Sequence, residues 1–254
     1  MRYFLLLSLI LFFYMNVWFM ISLIKKRNDV ADVAWGLGFV LMGWVSLFLM
    51  PTFTSKQLLV TILVSIWGFR LSWHIYARNK GKAEDCRYLA WRKEWGKYFY
   101  IRSYFQVYIL QGVCLFLVAI PVILINKQDH HALCLLDLLG VVVWLVGFCF
   151  EVVGDAQLLR FIKKPENKGK LMQDGLWAYS RHPNYFGEVT LWWGIWLMSL
   201  SVANPLLGLI SPITITFLIL KVSGIPMLEK KMAEHPDFEE YRRSVSAFIP
   251  MPRK

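Results

Sequence analysis

Apolar residues in this chain arrive in long blocks rather than in amphipathic stripes. A helix needs about 20 apolar residues to cross roughly 30 Å of hydrocarbon. Seven runs meet that length, at about 3 to 24, 33 to 51, 58 to 77, 104 to 125, 135 to 158, 184 to 203 and 205 to 226. The pattern predicts an all-α polytopic membrane protein, a bundle of seven transmembrane helices. The first run is rich in Phe, Tyr and Met and ends in Lys25, Lys26 and Arg27 without a small-residue cleavage site, so it reads as a retained span rather than a signal peptide. With no internal repeat and no low-complexity linker, residues 1 to 254 read as a single domain.

Composition agrees: 57% of residues are hydrophobic and only 18% charged. The 28 Lys and Arg are unevenly shared. Most lie at 25 to 27, 78 to 102, 160 to 181 and after the last span, whereas Arg2, Lys56 and Lys127 fall on the other side and Arg70 and Lys221 inside spans. By the preference of cytosolic loops for cations, the N-terminus is outside and the C-terminus cytosolic, which needs an odd number of spans. The net charge of +11 then follows from topology, and nucleic acid is not expected as a partner. Cys86, Cys114, Cys134 and Cys149 show no C-x-x-C spacing, so neither a disulfide nor a metal is expected.

The dense polar stretches all fall on the predicted inner side. In KRNDVADVAWGLGF, Asp29 and Asp32 stand at the mouth of the second span, where an acid either caps the helix or faces a polar site. In RNKGKAEDCRYLAWRKEWGKYF, the aromatics Tyr88, Trp91, Trp95, Tyr98 and Phe99 recur every three or four residues among Arg and Lys, as in a helix lying among lipid headgroups. The preceding GKAEDCRY packs Lys82, Glu84, Asp85 and Arg87 beside a glycine, a set that could hold phosphate with its cations while the acids orient them or bond ribose hydroxyls. Near the inner end of the fifth span Glu151 and Asp155, four residues apart, share one helix face, with Arg160, Lys163 and Lys164 beyond them. They form either an ion-paired face or part of a site.

In SRHPNYFGE, Pro183 suits the first turn of a helix, so the sixth span is predicted to begin there with residues 180 to 182 as its approach. The free N–H groups of that start, with Arg181 and His182 beside them, make a candidate phosphate or carboxylate site. Glu188, deeper in the span, should point into a polar cavity or pair with Arg181 or Lys221. Gly224 and Pro226 can open the end of the last span, leaving Glu229 near the surface. HPDFEEYRRSVSAFIP then reads as a short amphipathic helix and an extended end.

GDAQLLRF, GLWAYSRHPNYFGE, WWGIWL, SPITITFLILKVSGIPMLE and GKAEDCRY together resemble the bacterial membrane family that shares the steroid 5-alpha-reductase C-terminal domain, from about Asp29 to Pro250. The resemblance implies an NADPH-dependent reductase that adds hydride to the activated C=C of an enone lipid such as a 3-oxo-4-ene steroid or a similar isoprenoid. It implies a seven-span bundle in a bacterial inner membrane, with NADPH in the cytosolic half and the substrate entering from the lipid. Asp155, Asn184 and Glu188 match its nucleotide-binding positions best. Lys82 stands where the reductases have an Arg, and Tyr179, Arg181, His182 and Tyr185 belong to the bacterial form of the motif. Glu84, Asp85, Arg87, Glu151, Lys163, Lys221 and Glu229 complete the expected cofactor set. For catalysis, the eukaryotic enzymes use a Glu near the second span and a Tyr in the third. Asp32 is the candidate acid here, while for the tyrosine, which has no clear counterpart, WGFRLSWHIYAR offers Trp67, Arg70, His74 and Tyr76.

The residues themselves agree that no Rossmann fold is present, since no G-x-G-x-x-G joins a strand to a helix. GLGFVLMG reads instead as small residues that let helices approach. Two other functions compete. R-H-P-x-Y also occurs in isoprenylcysteine carboxyl and phospholipid methyltransferases, which with Glu229 raises an S-adenosylmethionine-dependent methyltransferase as the alternative. A lipid-binding scaffold without catalysis is the third.

Overall fold

The computed structural model describes residues 2–52, 54–128 and 132–253, and these contain helices but no strand. Their backbone contacts divide them into two units. The first comprises the chain up to Leu133 together with Val202–Gly208, and the second Cys134–Ser201 with Leu209–Lys254.

The first unit holds α1 (Arg2–Lys25), α2 (Val30–Phe48), α3 (Ser55–Asn79), α4 (Cys86–Trp95), α5 (Phe99–Ser103), α6 (Leu110–Asn126) and the single turn α9 (Pro205–Gly208), with a π-helical stretch Tyr104–Ile109 carrying α5 into α6. α3 opens on a capping box in which Thr54 N donates to Gln57 Oε1 at 2.6 Å and Thr54 Oγ1 accepts from Gln57 N. α2 is the central helix, against α1, α3 and α6. The glycines of GLGFVLMG lie on its contact faces. A Cβ on Gly36 would stand 2.5 Å from the Gly68 carbonyl, and one on Gly38 would strike Leu115. Polar groups inside this bundle pair with one another, as apolar surroundings require. Tyr14 Oη donates to Ala34 O at 2.8 Å, Gln111 Nε2 to Ala31 O at 2.7 Å, and the fully buried Asn126 amide to Gly43 O and the Ser46 and Thr61 hydroxyls.

The second unit holds α7 (Leu135–Lys163), α8 (Pro183–Met198), α10 (Ile210–Phe217), α11 (Ile225–Met232) and α12 (Phe238–Ser244). α7 and α8 run antiparallel along a glycine seam. A Cβ on Gly147 would lie 2.6 Å from Gly187 O, one on Gly187 2.5 Å from Gly147 O, and Gly140 and Gly194 repeat the arrangement one step along. No side chain larger than hydrogen fits between these backbones, and without a hydrophobic drive between helices in lipid such close packing is what holds them. Gly147→Val is therefore expected to abolish the folded protein, measured as monodisperse yield in detergent, whereas Gly43→Ala, whose Cβ would meet only Thr61 at an ordinary 3.4 Å, leaves that yield nearly intact.

Among the described residues, six helical segments are long and apolar enough to cross a membrane: Arg2–Lys25, Val30–Phe48, Ser55–Asn79, Cys86–Asn126, Leu135–Lys163 and Pro205–Met232. Two expected spans differ from the sequence reading. α8 begins at Pro183 as predicted, but its regular part is 16 residues long before a 3₁₀ turn at Ser199–Ser201. The last span is interrupted: a π-helical stretch at Leu218–Val222 ends at Gly224, whose missing Cβ admits the Ile219 carbonyl, and α11 restarts there. α4 ends at Gly96, whose φ of 50° breaks the helix, and a 3₁₀ turn at Gly96–Tyr98 leads on into α5 within the Cys86–Asn126 segment.

Candidate functional site

In the first unit, the loop after α1 and the GKAEDCRY segment meet at the start of α2. Arg27 forks onto the buried Asp29, Nε to Oδ1 at 2.9 Å and Nη2 to Oδ2 at 2.7 Å, and its Nη1 reaches Lys82 O at 2.9 Å. Arg92 grips Glu84, with Nε 2.6 Å from Oε2, and lies over the Phe99 ring at 4.1 Å. Asp85 caps α4 by accepting from Arg87 N at 2.9 Å and from Arg87 Nε at 3.0 Å. Burial pushes the Asp85 carboxyl up, but these bonds and the Arg87 charge outweigh it and hold it below the usual carboxylate range.

That cap aims the first turn of α4 at Asp32. Arg87 Nη2 stands 2.7 Å from Asp32 Oδ2, and Tyr88 Oη donates to Oδ1 at 2.8 Å. Asp32 is thus held on both oxygens by groups from one turn of one helix. Tyr88, only 4% exposed, was grouped by the sequence with the headgroup aromatics, yet Tyr98 of the same series is 55% exposed. The signal that separates them is position: Tyr88 sits three residues after a capping acid, inside the charged segment. The predicted phosphate-binding set here is largely self-paired, since Glu84, Asp85 and Arg87 satisfy each other or close neighbours; the Lys82 side chain alone of that set is exposed. Arg70 and His74 lie one turn apart on α3, both half-buried.

In the second unit, Glu151 and Asp155 are both buried on α7, as their spacing predicted. Asn184, in the first turn of α8, donates Nδ2 to Asp155 Oδ1 at 3.0 Å, while its buried Oδ1 has no hydrogen-bond partner among the described residues. Gly187 lets the Glu151 backbone approach, and the half-buried Glu188 follows it. Near the end of α7 a groove of about 330 Å³ is lined by Gln157, Arg160, Phe161, Lys164, Asn167, Met172 and Asp174. Lys163 and Lys221 are exposed.

Arg181 does something the sequence did not predict. Its Nε and Nη2 bind Glu229 Oε1 at 2.8 and 2.7 Å, and its Nη1 donates to the carbonyls of Arg242 and Val245 at the end of α12. The carboxylate partner of this arginine is Glu229 of α11, and most of its donors are used inside the fold. His182 Nε2 is 3.3 Å from the same Glu229 oxygen, and its ring stacks on Tyr185 at 5.6 Å. The tail binds the same loop: Arg181 N donates to Ser246 O at 2.8 Å, Ser180 Oγ to Phe248 O at 2.8 Å, Met251 N to the carbonyl of the half-exposed Tyr179 at 2.9 Å, and Tyr241 Oη to Trp177 O at 2.7 Å. Burial pushes the Tyr241 hydroxyl pKa up, so it stays a donor. The SRHPNY loop is a strut between α8 and the C-terminal segment.

These features define an all-helical, multi-pass membrane protein with two buried acid–cation clusters, one in each unit. The family model described as "Protein of unknown function (DUF1295)" matches residues 18–245, and the chain belongs to that family. The family is steroid 5-alpha-reductase-like: rat 3-oxo-5-alpha-steroid 4-dehydrogenase 1 is 32% identical over 114 residues, 44% of this chain and 40% of its own length, and the human protein of that name is 28% identical over 113 residues, 44% and 41%. The matched stretch thus spans about two fifths of these relatives. An uncharacterised Schizosaccharomyces pombe protein is 25% identical over 268 residues, 92% of this chain and 76% of its own. No solved structure matches.

Proposed function

We propose that this protein is a membrane-embedded reductase that uses NADPH to saturate the activated C=C of an enone lipid, a 3-oxo-4-ene steroid or a similar isoprenoid. The observation that carries this reading is the Asp155–Asn184 pair at the start of α8, with the buried Asn184 Oδ1 left to accept a bond. A nicotinamide nucleotide offers ribose hydroxyls and a carboxamide N–H₂, the donors that such an acceptor and the carboxylates of Glu151, Asp155 and Glu188 would take. Arg160 and Lys164, lining one groove, suit its phosphates. Lys82, Lys163, Tyr179 and Lys221 remain candidate contacts at the surface. The family match runs across both units, which supports reading the chain as one functional domain.

When bound, the cofactor supplies hydride to the β carbon of the enone. The chain must then meet the negative charge that develops on the carbonyl oxygen and supply a proton for the α carbon. Within the first unit, the Tyr88 O–H that rests on Asp32 Oδ1 has the chemistry for that role: it would turn from the carboxylate to the carbonyl oxygen, and Arg87, 5.5 Å over the Tyr88 ring, would offset the charge left on the phenolate. Arg70 and His74 are candidate further donors. The topology we infer has seven spans, with α8 and its 3₁₀ turn reaching about 28 Å as the sixth. The N-terminus is then outside, the site opens to the cytosol, and a bacterial inner membrane is the setting.

One observation favours the methyltransferase alternative: Glu229 does come to Arg181 and His182. All of these contacts fall on Glu229 Oε1, however, which ties the carboxylate into the fold and leaves Oε2 alone for a ligand amine. The test is to titrate NADPH, NADH and S-adenosylmethionine into detergent-purified protein and follow thermal unfolding. At a hundred times Kd, NADPH should add about 2.7 kcal/mol of stability, and Glu188→Gln or Asn184→Ala should lose most of the shift. A shift with S-adenosylmethionine alone would make the reductase reading wrong.

A further inference from the structure

Residues 86 to 105 contain five cations and a single acid, Glu94. Arg87 and Arg92 are taken by Asp32, Asp85 and Glu84. The remaining three, Lys93, Lys97 and Arg102, are exposed. Lys97 Nζ lies 5.1 Å over the Tyr98 ring and the Arg102 guanidinium 5.9 Å over that of Trp95. Around them Tyr98, Tyr100 and Ile101 turn 55%, 48% and 63% of their surface outward.

Immediately beyond, Phe105, Leu110 and Val113 expose an apolar face of the same spanning segment. At 1.5 Å per residue, Arg102 and Lys97 stand about 5 to 12 Å below the start of that face, which is headgroup depth. Aromatic and aliphatic side chains among cations at that level have one partner of matching form, a surface that is apolar above and anionic below. A zwitterionic headgroup brings its own cation; an acidic one leaves its phosphate uncompensated.

We propose that Lys93, Lys97 and Arg102 bind the headgroups of acidic phospholipids, with Tyr98, Tyr100 and Ile101 seated in the interface. This site is separate from the reductase reading. The experiment extracts the full chain from vesicles of equal phosphatidylglycerol and phosphatidylcholine and counts retained lipids by native mass spectrometry, for the wild type and for K93Q/K97Q/R102Q and K93R/K97R/R102R. The wild type should retain the acidic lipid about tenfold over the zwitterionic one, the glutamine variant near parity, and the arginine variant should behave as wild type. Enrichment that persists in the glutamine variant, or no enrichment in the wild type, overturns the proposal. So does displacement of the lipid by millimolar inorganic phosphate, which would mark a site for a soluble anion. A melting temperature and monodispersity in detergent equal to the wild type's confirm that the glutamine variant is folded.

Discussion

Tyr88→Phe is expected to slow NADPH-dependent enone reduction by about a hundred- to ten-thousand-fold, the range over which a positioned proton donor acts. The hydroxyl at stake is the one 2.8 Å from Asp32 Oδ1, and Phe keeps the ring that is buried beside it. NADPH binding should stay within about twofold, because the nucleotide contacts proposed on α7 and α8 do not involve this residue. Asp32→Asn should lose at least as much rate, since both Arg87 and Tyr88 are held by its carboxylate. The measurement is single-turnover reduction at saturating cofactor. If Tyr88→Phe turned over at the wild-type rate with only a raised KM, the tyrosine would be packing and the proton would have to come from elsewhere, with His74 the next residue to test.

The second large effect concerns folding. Arg181→Met strips the guanidinium that joins Glu229 to the carbonyls of Arg242 and Val245, leaving that half-buried carboxylate with His182 as its one remaining partner among the described residues. Removing one partner of such a pair costs about 3–5 kcal/mol, a large share of the 5–15 kcal/mol typical of a whole domain. The variant should melt far below the wild type in detergent and expose its tail, seen as faster proteolysis after residue 233. Arg181→Met combined with Glu229→Leu should recover part of the loss, because no lone charge then remains. A phosphate-binding role for Arg181 predicts the reverse: Arg181→Met would fold normally and lose NADPH affinity alone.

The two variants also separate what could be read from the chain from what could not. Hydrophobic block length located the spanning segments, because the thickness of hydrocarbon is a fixed ruler and every backbone group inside it must be bonded within a helix. It was least informative where helices are short or interrupted, at α8 and at the π-helical stretch before Gly224, since apolarity there continues although the regular helix does not. Helix periodicity likewise put Glu151 and Asp155 on one face, and Pro183 marked the start of α8, both local geometric rules that need no partner.

Pairing obeyed no such rule. GKAEDCRY announced a cluster of opposite charges, but whether its arginine would face a phosphate or the chain's own acids depended on Asp32, 55 positions away. Tyr88 looked like one more headgroup aromatic until the Asp85 cap turned it inward. Arg181 looked like a ligand-binding cation, with the nearby Glu188 as an alternative partner, yet the acid it pairs with, Glu229, lies 48 residues on. By itself, then, the sequence determined the membrane class, the helices and the polar stretches, which follow from local composition and the dimensions of the bilayer. Which charges are consumed within the fold and which remain for a ligand was decided only by tertiary structure, because ion pairing depends on distance in space and the loops set that distance.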